Sequence, residues 1–138
     1  MGRRQVSVLL DTHVWVWWNS EPEKIGARLR GVIEVASSKN ALYVSAISPW
    51  EVAMLVEKKR LQLAMDTLLW IERALDEAGL SLYPLSPAVA VASNRLPGAF
   101  HSDPADRIIV ATARELGATL LTRDEAILAY SGVKARWE

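Results

Sequence analysis

Short apolar runs alternate along this chain with longer stretches whose apolar residues recur at helical spacing. Gln5–Leu10 is an apolar run that stops at Asp11, the pattern of a buried strand. Thr12–Trp18 reads as a short helix or turn. Glu23–Ala36 reads as a longer amphipathic helix, with Ile25, Leu29, Val32, Ile33 and Ala36 on one face. Ala41–Ser45 is a second strand. Ser48 as N-cap, Pro49 at the first helical position and Glu51 at the third open a helix through Lys59. The next helix runs from Met65 to Ala78 and stops at Gly79. Leu80–Tyr83 is a third strand, Ser86 and Pro87 cap a helix to Asn94, and Arg95–Ser102, with Pro97 and Gly98, is a loop. Asp103 and Pro104 begin another helix by the same cap-then-proline logic, and Gly117 ends it. Thr119–Thr122 is a fourth strand, Asp124–Tyr130 a short helix and Val133–Arg136 an edge strand.

Strands that alternate with helices imply an α/β fold with a parallel sheet covered on both faces. No repeat, low-complexity segment or linker interrupts the pattern, so residues 1–138 are expected to form one domain. Ligands of such sheets bind beyond the carboxyl ends of the strands. Four acids belong at that edge: Asp11 directly after the first strand, Asp124 two residues past the fourth, and Glu51 and Asp106 in the first turns of helices. Gathered carboxylates repel one another unless a cation sits among them, and the usual occupant is a hard divalent ion with oxygen ligands. The four acids therefore suggest a metal-dependent nuclease.

Each acid also has a structural reading. Asp11 can cap the helix that follows it. Glu51 and Asp106 stand three residues after Ser48 and Asp103, the capping-box position. A carboxylate in a first turn complements the helix dipole and can still offer an oxygen to a metal, so the two roles are compatible. For Asp103 the N-cap role leads over metal ligation. For His13, at a helix start, a structural or substrate contact leads over ligation, and His101, in the loop beside Asp103, is expected against RNA or a dimer partner. Trp15, Trp17 and Trp18 cannot all face one core from one short helix, so at least one is expected to be exposed or at an interface. Trp50 and Trp70 are expected in the core.

Composition narrows the partners. Sixteen basic and sixteen acidic residues cancel, so nucleic acid is not held by bulk positive charge and must be gripped locally. Arg3, Arg4, Lys58, Lys59, Arg60, Arg107 and Arg123 are the cations to test for phosphate contacts, each with a solvated surface charge as its alternative. There is no cysteine, which removes disulfides, thiolate ligands and a cysteine nucleophile. Neither a membrane span nor a signal peptide is recognisable, and the expected location is the cytoplasm.

The segments VLLDTHVWVWW, VSAISPWEVA, HSDPADRIIVATA and ATLLTRD, in this order and spacing, resemble the PIN domain of VapC toxins, the ribonuclease half of VapBC toxin–antitoxin pairs. The resemblance spans Ser7 to Arg136. It implies a three-layer α/β/α PIN-like fold with a central parallel sheet of four to five strands. It also implies an endoribonuclease dependent on Mg²⁺ or Mn²⁺ that forms a homodimer and is silenced by a cognate VapB-like antitoxin. By motif, the family's acids fall on Asp11, Glu51, Asp106 and Asp124, as catalytic residues and metal ligands. Thr12 and Thr122 match small polar positions beside the site and, with Arg107 and Arg123, are candidates for substrate contact.

The expected chemistry is metal-assisted hydrolysis of an RNA phosphodiester, with Glu51 as a candidate proton acceptor. All-oxygen ligands favour magnesium over zinc. The VWVWW segment with the Glu23–Ala36 helix is a candidate antitoxin surface, against homodimerisation. Two other classes compete. A silent PIN-like module that binds RNA or protein is disfavoured by the complete acid set. A phosphotransfer domain with Asp11 as nucleophile is disfavoured by His13, where one such family places an acid, and by Arg123, where another places a lysine.

Overall fold

Val8 and Leu10 of β1 (Val8–Leu10) pack into one apolar cluster and Leu9 into another, because successive side chains of a strand leave it on opposite faces. A computed structural model of the protein describes residues 6–138 and shows the same alternation in the neighbouring strands. In β2 (Leu42–Ser45) Leu42 and Val44 join the first cluster and Tyr43 borders the second; in β4 (Thr119–Leu121) Leu121 joins the first and Leu120 the second. With β3 (Leu80–Tyr83) and β5 (Ala135–Arg136), these strands form a five-stranded sheet of order β3-β2-β1-β4-β5 in which every pairing is parallel. A sheet with apolar side chains on both faces needs a cover on each.

One face is covered by α1 (Thr12–Ser20), α2 (Ala27–Ser38), α3 (Ile47–Glu57) and α4 (Thr67–Leu75), which bring Trp15, Leu29, Ile33, Val52, Trp70 and Ala74 into the first cluster. The other is covered by α5 (Pro87–Ser93), α6 (Pro104–Leu116) and α7 (Glu125–Ala129), which bring in Val89, Ile109, Val110 and Ile127. Each fully buried Leu, Ile or Val contributes roughly 1.5–3 kcal/mol relative to exposure. This is the three-layer arrangement expected of the chain, at the upper strand number.

Several boundaries differ for local reasons. The described part of the first strand begins at Val8, and Gln5 lies outside the described residues. The predicted Glu23–Ala36 helix is broken: Pro22–Lys24 forms a 3₁₀ turn, Ile25 is extended, and α2 starts after Gly26. The helix predicted to stop at Gly79 ends at Leu75. Gly79 serves a close approach instead. Its φ is +82°, and a Cβ there would lie 2.0 Å from the Ser37 carbonyl oxygen, so the chain passes under α2 only with glycine. Gly117 ends α6 as predicted, at φ +64°. Trp70 is buried, but Trp50 is 57% exposed on α3 and not in the core. Among the described residues no helix is long and apolar enough to cross a membrane.

Candidate active site

The sheet order reverses at β1: the chain runs from β1 outward to β2 and β3, and returns to place β4 on the other side. The carboxyl ends of β1 and β4 therefore flank a switch point, the place where open α/β sheets form a crevice. Asp11 leaves β1 there, and its backbone N–H donates to the Leu121 carbonyl of β4 at 3.0 Å. Thr122, the next residue after β4, donates its hydroxyl to Asp11 Oδ2 at 2.6 Å. Asp11 Oδ1 accepts the Thr12 N–H at 2.8 Å, so the carboxylate caps α1 as well as facing the crevice.

Glu51 arrives by a route that the capping-box reading missed. Ala46 already has helical backbone angles, so α3 starts at Ile47, and Ser45 Oγ accepts the Ile47 N–H at 3.1 Å. Ser48 is thus inside the helix and fully buried, and it does not cap. Its hydroxyl lies 2.8 Å from Thr12 Oγ1, which in turn donates to Glu51 Oε1 at 2.6 Å. Thr12 has one proton and spends it on Glu51, so Ser48 donates to Thr12. The chain Ser48–Thr12–Glu51 fixes the carboxylate from two elements. Pro49, without an N–H, costs nothing in a first turn whose donors have no helical partner.

Asp103 and Asp106 enter on α6. Asp103 is the N-cap, accepting the Asp106 N–H at 3.1 Å, as the cap-then-proline pattern predicts. The reciprocal half of a capping box does not form. Instead the Asp103 N–H donates to His101 Nδ1 at 3.3 Å, and His101 Nε2 lies 3.3 Å from Asp106 Oδ2. Nδ1 accepts, so the ring hydrogen sits on Nε2 and points at Asp106. His101, expected to meet RNA or a partner, orients an acid of the site. Asp124 caps α7 by accepting the Ile127 N–H at 3.0 Å, and its own N–H donates to Thr122 Oγ1 at 3.0 Å.

These acids line one cleft of about 550 Å³ together with His13, Trp17, Arg123 and Glu125. Their electrostatics are those of an uncompensated cluster. Burial raises the Asp11 pKa, against the opposing effect of its Thr122 and Thr12 hydrogen bonds. Burial raises that of Glu51 too, with repulsion from Asp11 and Asp103 adding to it. Asp106 is pushed up to about 7, first by burial and then by repulsion from Asp11, Asp103, Asp124 and Glu51. A cation among these groups would reverse all three shifts. Among the described residues no group of three or more His, Asp or Glu side chains stands close enough together to hold a metal ion as it is. The acids that line the cleft offer only oxygen donors, the donor type that a hard divalent ion takes while keeping several of its waters.

Other predicted contacts resolve differently. Thr12 and Thr122 are buried and commit their hydroxyl protons to carboxylates, so neither is placed to touch substrate. Arg107 is held by backbone: its Nε donates to the Ser93 carbonyl at 2.9 Å, and one terminal nitrogen donates to those of Phe100 and His101 at 3.2 and 3.3 Å. It ties down the loop that carries His101 and Asp103. Lys58, Lys59 and Arg60 follow the far end of α3, about 16 Å along its axis from the edge where it begins. Arg3 and Arg4 lie outside the described residues, which leaves Arg123 as the cation from that set that lines the cleft. The three tryptophans of α1 part company: Trp15 is fully buried, Trp18 donates its indole N–H to Glu77 at 2.9 Å, and Trp17 faces the cleft. The roles of Ser48, His101 and Arg107 depend on contacts 36, 5 and up to 14 residues apart, and no local motif signals them.

A PIN domain family model matches residues 8–133. The chain is 39% identical to ribonuclease VapC22 of Mycobacterium tuberculosis over 124 residues, which is 90% of this chain and 92% of that protein. Solved structures share the fold at low identity. The DNA-bound VapBC of Salmonella typhimurium matches with a TM-score of 0.70 at 14% identity, over 95% of this chain and 97% of that one. VapBC2 of Rickettsia felis, bound to a promoter DNA fragment, matches with a TM-score of 0.71 at 16% identity, over 96% and 100%. With a family model across nearly its whole length and a close full-length relative, the chain belongs to the PIN domain family, among the VapC proteins.

Proposed function

We propose that the protein is a Mg²⁺- or Mn²⁺-dependent endoribonuclease, the toxin of a type II toxin–antitoxin pair, with residues 1–138 as one catalytic domain acting in the cytoplasm. The observation that carries this reading is the crowding around Asp106. Burial first, and then repulsion from four carboxylates, raises its pKa in a cleft at the switch point of the sheet, and a divalent cation relieves that repulsion. The relative VapC22 is named a ribonuclease, which supports RNA as the substrate.

Asp11, Asp106, Glu51 and Asp124 would hold the ion. When bound, it neutralises charge at the scissile phosphate and makes a water more acidic. The remaining work belongs to side chains. Thr122 and the Thr12 N–H fix both oxygens of Asp11, and His101 aims Asp106. Glu51 is raised in basicity by burial and held by Thr12, so it is suited to accept the proton of the attacking water. Arg123 would meet phosphate, a reading supported by its position in the lining of the cleft.

A VapB-like antitoxin is the proposed partner, supported by fold neighbours solved as VapBC complexes. Its proposed seat is the groove of about 640 Å³ along α2, where Val6, Val8, Val32 and Val35 meet Arg28 and Arg136. Apolar residues edged by cations suit an amphipathic segment with acidic flanks. A homodimer completes the proposed assembly. Purified protein free of antitoxin should cleave single-stranded or loop RNA with Mg²⁺ or Mn²⁺ and stop in EDTA. Cleavage that continues unchanged in EDTA refutes the metal mechanism.

A further inference from the structure

Six acids line the cleft, yet RNA is a polyanion, so the substrate needs a foothold that the carboxylates do not supply. That foothold clusters around Trp17. Its ring lies 6.0 Å from the His13 ring and carries the Arg123 guanidinium over it at 5.9 Å, and all three side chains line the same cleft as Asp11 and Asp106. Lys24 Nζ lies over the same ring at 5.7 Å and pairs with Glu21 at 2.9 Å. Trp17 is half-buried and braced by Trp137 at 5.7 Å, so the indole is held in place while part of it stays open to the cleft. His13 and Trp17 are four residues apart on α1 and share a helical face. Six residues of helical rise separate Trp17 from Asp11, about 9 Å along the axis, a span suited to a nucleotide next to the one being cut.

We propose that Trp17, flanked by His13 and Arg123, is a stacking platform for a nucleobase of single-stranded RNA adjacent to the scissile phosphate. Stacking on an aromatic face accepts any base, and the Arg123 guanidinium, which lies over the ring in the free protein, would swing off that face to bind the flanking phosphate; together they attract RNA without a net positive charge. Of the three tryptophans on α1, Trp17 is the one in the cleft, since Trp15 is spent on the core and Trp18 on Glu77. The inference rests on the ribonuclease reading and adds the site of base contact to it.

The test measures binding of an end-labelled single-stranded RNA in the inactive Asp106→Asn background, by fluorescence anisotropy, with a set of oligonucleotides carrying one abasic nucleotide at successive positions. With Trp17 present, one abasic position should weaken binding by ~10-fold, within the range of base–aromatic stacking. Trp17→Leu should weaken binding of the intact RNA by a similar factor and abolish the penalty at that position, while Trp17→Phe should keep most of both. An abasic scan without any sensitive position overturns the platform, and needs no variant that must fold. So does a loss shared by Trp17→Phe and Trp17→Leu with the scan unmoved, which marks a packing role. Unchanged RNA binding with weakened capture of a VapB-like antitoxin overturns it in favour of a protein-facing surface. If the wild type with Mg²⁺ neither binds nor cleaves RNA, the ribonuclease reading itself has failed. If it cleaves and only the Trp17 results are negative, the platform alone falls.

Discussion

The Thr122 hydroxyl donates to Asp11 Oδ2 at 2.6 Å across the switch point of the sheet, so the strand on one side of the crevice positions the acid delivered by the other. The same hydroxyl oxygen accepts the Asp124 N–H at 3.0 Å, and one side chain therefore sets two acids. Thr122→Val keeps the shape and loses both bonds. Its expected effect is a loss of about 10–100-fold in metal affinity or turnover, the scale seen when a group that orients a metal ligand is removed. Thr122→Ser should restore most of it. Calorimetric Mn²⁺ titration of the three proteins, beside RNA cleavage, checks the order; equal affinity in Thr122→Val and wild type rules out the positioning role.

Asp106 gives the metal-free protein a pH dependence of definite sign. Its carboxyl is pushed up to about 7 from an ordinary value of 3.8, so between these limits the folded state keeps a proton that the unfolded chain has released. The corresponding stability is fully present below about pH 4 and is lost as pH rises through about 7. Its size is on the order of 1–4 kcal/mol. In EDTA the melting temperature should fall between pH 5 and pH 8, and Asp106→Asn should flatten that slope. A wild-type slope unchanged by the substitution would place the titration elsewhere. Asp106→Asn should also cut RNA cleavage by ~100-fold or more, whereas Asp103→Asn, still able to cap α6, should keep much of the activity.

The sheet and the acids were legible because both are local signals. Short, largely apolar runs mark the buried strands β1, β2 and β4 at Val8–Leu10, Leu42–Ser45 and Thr119–Leu121, and cap-then-proline starts are written at Ser86 and Asp103. The failure at Ser48 is instructive. Ser48, Pro49 and Glu51 carry every local mark of a helix start, but the chain leaving β2 turns helical at Ala46, and tertiary pairing with Thr12 claims the hydroxyl. Trp50 misled for a related reason: it is an apolar residue one place from a site acid, on a helix whose buried positions are Ser48, Val52 and Leu55. What the sequence could not disclose was how donors are shared out, since Thr12, Thr122, His101 and Arg107 find partners fixed only once the layers close.

Arg107 and Arg123 stood together as phosphate contacts, and salt dependence separates them. Each phosphate neutralised on single-stranded nucleic acid contributes about −0.7 to the slope of log affinity against log salt. Arg123→Ala should make the slope shallower by about that amount. Arg107→Ala should leave it unchanged and lower the melting temperature, by about 1–3 kcal/mol of stability, because its donors hold the Ser93, Phe100 and His101 carbonyls. RNA binding over a salt series in the Asp106→Asn background gives the slopes. A shallower slope for Arg107→Ala would return that residue to the RNA.

The acids of the cleft should make the metal-free protein unstable and the metal-loaded protein stable. Burial raises the pKa of both Asp11 and Glu51, which means that at pH 8 their charged forms cost the folded state energy that the unfolded chain does not bear. A bound cation offsets that cost, by an amount set by the ratio of its concentration to its dissociation constant. Glu51→Gln keeps an oxygen for the Thr12 hydroxyl, and Asp11→Asn keeps one for the Thr12 N–H while its NH2 group replaces the oxygen that accepts from Thr122, so each removes a charge and keeps an oxygen acceptor for Thr12. Both variants should therefore melt higher than wild type in EDTA at pH 8, Asp11→Asn by more because it is the more deeply buried, and both should show a smaller upward shift in millimolar Mn²⁺. A purely capping Asp11 predicts the reverse, since the loss of its charge at the start of α1 would lower stability by a few tenths to about 1 kcal/mol with or without metal. Melts of the three proteins in EDTA and in Mn²⁺ distinguish the cases: variants that melt lower than wild type in EDTA and keep its full metal shift would assign these acids to the helices and remove them from the metal site.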